Sequence, residues 1–429
     1  MDSDLGGRTI RTVIWRLMPL LLLAYLTNYV DRINIGFAGA ALKRDLGLTN
    51  TMFGVGAGLF FISYFLFEVP SNLVLERIGA RRWISRIMVS WGILSVAMIF
   101  VRGEYGFYAL RFLLGVAEAG FFPGVIFYLV CWFPAAYRAR LMALFTVGIP
   151  LSTVIGAPLS GLFLSMTGIL GLPGWQWMFI LEGLPAVILG CVIFLVLPDH
   201  PRDAKWLSPA QKQWLEGALA ADPSRPVRSH WRSTFKSFYD PRVLAMCAIY
   251  LSNTSANFSL AFFLPQIVGT MGLGQVETGL LVAIPSAVGV VSVLVIGWLA
   301  DHFGNPRALL LAALVITSAG LAMAATFGAG GASLIGIAAL SFAGIGIHGL
   351  KSPFWALAPM TLAASTAAGG IAWINSVGNL GGFFGPSVLG WLTDHFGGYQ
   401  AGIFALAGFQ FVAMLMTLVL HPRVKSKPA

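Results

Sequence analysis

The chain has 429 residues, 57% of them hydrophobic and only 10% charged, whereas a soluble domain carries about a quarter charged residues. That composition excludes a soluble enzyme and a soluble domain on a single anchor. A net charge of +10 would suit nucleic acid, but the basic residues lie in segments between apolar runs, where anionic lipid and the positive-inside rule account for them.

Apolar stretches long enough to cross roughly 30 Å of hydrocarbon as a helix recur along the whole chain. The predicted spans are residues 17–38, 51–75, 83–102, 106–131, 139–166, 176–197, 241–268, 276–300, 306–327, 331–359, 364–393 and 398–420. Arg8, Arg11 and Arg16 precede the first. No convincing short cleavage site follows, so it reads as a retained helix rather than a signal peptide. Cys131, Cys191 and Cys247 all fall in spans without metal-ligand or redox spacing and read as small apolar fillers.

Basic residues set the orientation. With both termini in the cytoplasm, 21 of the 27 Lys and Arg fall inside. Lys43, Arg44 and Arg102 fall outside, and Arg32, Arg111 and Lys351 lie within spans. The opposite orientation would reverse that bias. Residues 198–240 are polar and basic, and "SPAQKQWLEGALA" within them suits a short surface helix. The expected organisation is therefore a six-span unit at 1–197, a cytoplasmic linker at 198–240, and a second six-span unit with a tail at 241–429.

The two units share a signature. "NLVLERIGARR" follows the second span and "GWLADHFGNPR" the eighth, aligning Glu76, Arg77, Gly79 and Arg82 with Asp301, His302, Gly304 and Arg307. Glycine permits a sharp turn between helices, the acid can meet the positive end of the next helix, and arginine can hold carbonyls or lipid phosphate. A second copy of the octet, "GWLTDHFG" at 390–397, lies three spans after the first. An odd number of spans inverts orientation, so each half reads as two inverted three-helix units, as in nested transporter repeats.

Seven charged side chains lie more than one turn from a span end: Asp31, Arg32, Glu68, Arg111, Glu118, Glu182 and Lys351. Facing lipid they would cost roughly 20 kcal/mol together, so they must pair, snorkel or line a wet cavity. In "RFLLGVAE", Arg111 and Glu118 are two helical turns apart on one face, with Gly115 between them leaving space for a solute. Arg111 offers a fork suited to a carboxylate and Glu118 can carry a proton; a structural Arg–Glu bridge is the plainer alternative. Asp31 and Arg32 leave the first span about 100° apart, with Asn28 one turn behind. Glu68 lies one turn from Tyr64 near the signature loop and suits gating or structure, while Glu182 suits a structural partner. Lys351 is the only cation of the second half more than one turn from a span end. Asn375 and Asn379 share a face of a glycine-rich span, and Asn253 and Asn257 are further neutral donors.

The stretches "YVDRINIGFA", "FEVPSNLVLERIGARRWISRI", "RFLLGVAEAGFFPGVIFYLVCWFP", "WMFILEGLPAVILG" and "AWINSVGNLGGFFGP" make the chain resemble the major facilitator superfamily over nearly its whole length. Within it they look like the anion:cation symporter branch, most of all its bacterial tartrate transporters. The resemblance implies an all-α integral membrane fold of twelve helices in two pseudo-symmetric six-helix bundles. It implies a monomer in the bacterial inner membrane that imports a small organic anion with protons and uses no cofactor. It assigns proton coupling to Asp31, Glu118 and Arg32, and substrate contact to Arg111, Tyr29 and Tyr64. Lys351, Asn375 and Asn379 would hold a second carboxylate and hydroxyls, as tartrate or a related sugar acid requires.

Two other readings stay open: import of an aromatic carboxylate of phthalate, hydroxyphenylacetate or nicotinate type, and export on the same fold. Arg32 and Arg111 argue against a cationic cargo. An enzyme is poorly supported, since no metal motif, nucleophile elbow or phosphate loop is present and a linker of some 40 residues cannot hold a catalytic domain.

Overall fold

A computed structural model describes residues 2–222, 240–328, 333–362 and 367–420. Its first half contains α1 (Asp2–Leu46), α2 (Asn50–Ile78), α3 (Ala80–Ala97), α4 (Gly103–Glu118), α5 (Phe121–Trp132), α6 (Ala135–Leu164) and α7 (Gly174–Val196). A linker helix, α8 (Pro209–Ala220), follows. Its second half contains α9 (Pro241–Gly269), α10 (Gln275–Phe303), α11 (Pro306–Phe327), α12 (Leu334–Gly349), α13 (Lys351–Thr361), α14 (Ala367–Asn379), α15 (Gly381–Phe396) and α16 (Gln400–Val419).

Three predicted spans are each built from two helices: α4 with α5, α12 with α13, and α14 with α15. The first break shows why. Gly120 adopts φ +87°, a left-handed conformation that costs glycine little, and the Ser71 hydroxyl donates to the freed Ala119 carbonyl at 2.6 Å. A break inside a membrane is tolerated only where its polar backbone groups are satisfied in this way.

Among the described residues, ten helical segments are long and apolar enough to cross a membrane. α9 and α14–α15 fall short of that criterion because they are polar or interrupted. α9 carries Ser252, Asn253, Thr254, Ser255, Ser259 and Gln266, all buried, so its polarity faces protein. Large apolar side chains instead cover the outside, among them Leu66, Val69 and Leu73 on α2 and Val291, Leu294 and Val295 on α10. Polar inside and apolar outside is the arrangement that lipid imposes, and the chain is a multi-pass membrane protein.

The two ends of the bundle differ. At the end away from the termini, glycines bring the halves together backbone to backbone. A Cβ on Gly54 of α2 would stand 2.3 Å from the Pro386 carbonyl of α15, and one on Gly36 of α1 would stand 2.3 Å from the Ala261 carbonyl of α9. Gly161 of α6 meets the Gln275 carbonyl of α10 just as closely. Small residues at a helix crossing allow this approach. At the end bearing the termini, the same helices diverge around a cavity. The predicted surface helix is present as α8, with a capping box between Ser208 and Gln211. Asp222 just beyond it accepts from Ala135 N and from Arg138 Nη2 at 2.7 Å, fixing the linker's start to α6.

Candidate functional site: a polar cavity between the halves

The cavity has a volume of about 630 Å³. From the first half it is lined by Asn28, Tyr29, Arg32, Tyr64 and Glu68, and from the second by Asn253, Asn257, Lys351, Asn375 and Asn379. Five residues expected at the substrate, Tyr29, Tyr64, Lys351, Asn375 and Asn379, therefore share one chamber with Arg32, expected for proton coupling. Its remaining wall is largely aromatic, with Tyr25, Phe61, Phe122, Tyr250, Phe258 and Trp355. Tyr250 and Trp355 lack a charge or amide to draw attention in sequence. Their signal is position, since Tyr250 lies one turn before Asn253 and Trp355 one turn beyond Lys351.

Arg32 is the hub of the first-half wall. Its Nη2 donates to Glu118 Oε2 at 2.8 Å, and its guanidinium lies over Tyr29, Phe60 and Tyr64 at 5.2, 4.9 and 5.3 Å from the ring centroids. Three aromatic faces stabilise a cation here while leaving its edge free for an anion. Glu118 is fully buried; Asn28 Nδ2 also donates to Oε2 at 2.7 Å, while Oε1 has no partner. Because α4 ends at Glu118, this carboxyl sits where the span breaks and faces α1.

Asp31 lies behind that wall rather than on it. Its Oδ1 accepts from Ser95 Oγ and from Asn34 Nδ2, and its Oδ2 has no partner. Asp31 and Arg32 thus diverge as their adjacency on a helix requires. One faces the interior of the first-half bundle and the other the cavity.

Arg111 is placed differently from the expectation that it meets substrate. It is fully buried and outside the cavity lining, with Nη2 donating to the Ala57 carbonyl at 3.1 Å and Nε and Nη1 unpartnered. It packs on Phe60 at 5.3 Å, the same ring that carries Arg32, so Phe60 separates two guanidinium groups. Gly115 also leaves no room for a solute, since a Cβ there would be 2.2 Å from the Phe60 carbonyl. Its space is taken by α2. On the opposite wall Lys351 has no ion-pair partner among the described residues, and Asn253 has neither its amide oxygen nor its amide nitrogen hydrogen-bonded. Both are free to meet a ligand.

The signature loops occupy the end bearing the termini. Gly79 and Gly304 take φ +95° and +62°, turns that other residues adopt only with strain. Arg307 donates Nε to the Thr417 carbonyl at 3.2 Å and Nη2 to the Leu418 carbonyl, capping α16. In the first copy the acid that meets the start of α3 is Asp199, accepting from Arg81 N at 3.0 Å and pairing with its Nε at 3.5 Å. Glu76, Arg77 and Arg82 are exposed around this turn, and the side chain of Asp301 is outside the described residues. The repeated octet places Asp394 at the opposite end. Its Oδ1 accepts from Asn50 N and Nδ2 at 3.1 and 2.7 Å, and its Oδ2 from Thr51 N and Oγ1 at 2.7 and 2.6 Å. One carboxylate of α15 thereby caps α2 and clamps the halves together.

Residues 21–386 match the family model described as Major Facilitator Superfamily. The chain is 44% identical to the "Putative tartrate transporter" of Agrobacterium vitis, covering 98% of this chain and 93% of that protein. It is 40% identical to the "Quinolone resistance transporter" of Acinetobacter baumannii, covering 98% and 97%. Among solved structures, a bacterial homologue of the human lysosomal transporter Spinster, inward-facing and unoccupied, superposes with a TM-score of 0.77 at 17% identity, covering 94% of this chain and 95% of that one.

Proposed function

Because the chain belongs to the Major Facilitator Superfamily and is a transporter rather than an enzyme, we propose that it is a monomeric, proton-coupled importer of a small organic carboxylate, tartrate or a related hydroxy acid, in a bacterial inner membrane. The observation that carries this reading is the pairing across one cavity of Arg32, already bound to a carboxylate, with the unpaired Lys351. Two cations on opposite walls suit an acid with a carboxylate at each end, and the amides of Asn253, Asn375 and Asn379 suit hydroxyls between them. The tartrate-named relative supports that choice.

The mechanism follows from competition for Arg32. When Glu118 is charged it holds Arg32, and the guanidinium is occupied. A proton on Glu118 releases Arg32 to a substrate carboxylate, so proton and substrate bind together. Asp31 carries the second proton on the far side of α1. With both termini cytoplasmic, the sealed end faces outward and the cavity opens inward. Loss of the protons there restores the Arg32–Glu118 pair and expels the anion. A ligand moves the equilibrium only by binding one state better than the other, and Arg32 supplies that difference. Arg111 contributes a fixed positive charge near both acids.

The aromatic wall favours a second reading in which the cargo is an aromatic carboxylate. Tyr250 and Trp355 would then stack on its ring while Arg32 takes the acid, and the quinolone-named relative is consistent with a ring-bearing cargo moved outward. Proteoliposomes distinguish these. Labelled tartrate should accumulate under an inward proton gradient and yield to glucarate or galactonate more than to phthalate or hydroxyphenylacetate. The reverse ranking would establish the aromatic cargo, and indifference to every acid would refute both.

A further inference from the structure

The mechanism above leaves one buried carboxyl unused. Glu182 of α7 is 5% exposed, lies outside the cavity lining and has no cation against it among the described residues. Ser160 Oγ donates to its Oε1 at 2.7 Å, and Oε2 has no partner. Asn34, whose amide nitrogen bonds Asp31, also faces the Glu182 carboxyl. α1, α3 and α6 all pack on α7, and among the described residues the titratable group they bring to the Glu182 carboxyl is Asp31 of α1. The arginines of α3, Arg81, Arg82 and Arg86, lie at that helix's other end.

These residues step along the membrane. The end of α1, the end of α6 and the start of α7 are level at the sealed end. Trp175 Nε1 donates to Asp45 there at 2.9 Å, and Gly174 packs on the Leu164 carbonyl. Counted from that level at about 1.5 Å per residue, Asp31 lies about 22 Å deep, Glu182 about 12 Å and Ser160 about 6 Å. Together with Glu118 they form a row of three carboxyls from the cavity wall towards the sealed end. A buried carboxylate with no cation is costly, so such a group holds a proton instead.

We propose that Glu182 is a third proton carrier, which loads Asp31 from the outer side. This rests on the proton-symport reading. The two carboxyls share no hydrogen bond, so a Glu182 oxygen gives its proton to a water between them, and that water passes a proton on to the unpartnered Oδ2 of Asp31. The negative charge passes to Glu182, where Ser160 donates to it. Ser160 is fully buried in this state, so the row is closed at its outer end and transfer is internal. Glu182 reloads only after the halves rock, which keeps the path from leaking protons.

The test compares gradient-driven uptake with substrate counterflow at equal pH in proteoliposomes of wild type, Glu182→Gln and Ser160→Ala. Glu182→Gln keeps an oxygen for Ser160 and should slow gradient-driven uptake by about a hundredfold while leaving counterflow within about twofold. Ser160→Ala removes the donor that steadies the Glu182 anion and should slow gradient-driven uptake by about tenfold, less than Glu182→Gln, with counterflow again within about twofold. If Glu182→Gln does not fold, Asn34→Leu, which removes the link between the carboxyls, should give the same split. Gradient-driven uptake preserved in Glu182→Gln overturns the proposal while symport stands, and so does an equal fall of both assays in Glu182→Gln and Ser160→Ala. Absence of gradient-driven uptake in wild type removes symport itself and this proposal with it.

Discussion

The two halves share a signature and a helix plan but not a charge pattern. Asp31, Arg32, Arg111, Glu118 and Glu182 crowd the interior of the first, while the second offers the cavity Lys351 and a set of neutral amides. Repetition gives the halves a common way of moving. The asymmetry separates two tasks, because a charge that must change partners needs an acid beside it, whereas a group that only recognises cargo does not. On this account the first half couples and the second half selects.

The sharpest break in that division is at Arg32, the one residue that belongs to both tasks. Arg32→Gln leaves Glu118 without its cation and the cargo without its anchor; breaking a buried pair costs on the order of 3 kcal/mol, about a hundredfold in affinity. Substrate binding and uptake should vanish together, as measured by calorimetry and vesicle transport.

Lys351→Ala should do less and do it differently. It removes a charge-assisted contact of about 2 kcal/mol, raising KM roughly thirtyfold for a dicarboxylate and little for a monocarboxylate, with proton dependence intact. A pH profile altered by this variant would move coupling into the second half.

Asp394→Asn tests the sealed end. Burial is the largest single influence on Asp394 and works against its charge, but the hydrogen bonds from Thr51 and Asn50 together outweigh it and hold the carboxyl down to about 2. The sign is that of a lowered acid: the clamp is complete above the ordinary carboxylate range and is lost only as pH falls through about 2. Closure should therefore be insensitive to external pH between 5 and 8. The variant should shift the population towards the outward-open state by about fivefold, a helix-terminal charge effect of about 1 kcal/mol, read by labelling a cysteine placed at Phe53, which is buried against Phe263 of the other half at the sealed end. Asn375→Ala should be mildest, a fewfold rise in KM from one lost hydrogen bond of about 1 kcal/mol.

Spans, repeats and most cavity residues were legible because hydrophobic length and helical spacing belong to a single segment. Orientation towards a neighbour does not. Arg111 and Glu118 share a face of α4, as seven-residue spacing requires, yet Arg111 meets α2 and Glu118 meets α1. Spacing fixes the face of a helix and leaves open which partner covers each part of it. Likewise the acid that meets α3 is Asp199, more than a hundred residues away, and not Glu76 from the signature itself. α9 was expected as a span like the others, and its serines and asparagines record that much of it faces protein and the cavity rather than lipid.

The central claim concerns Glu118, and the direct measurement is internal acidification of proteoliposomes when tartrate is added outside with no imposed gradient. Wild type should acidify as substrate enters, Lys351→Ala should do so at higher tartrate, and Glu118→Gln should exchange substrate without moving protons. Acidification by Glu118→Gln, or substrate entry into wild-type vesicles without acidification, would contradict the account.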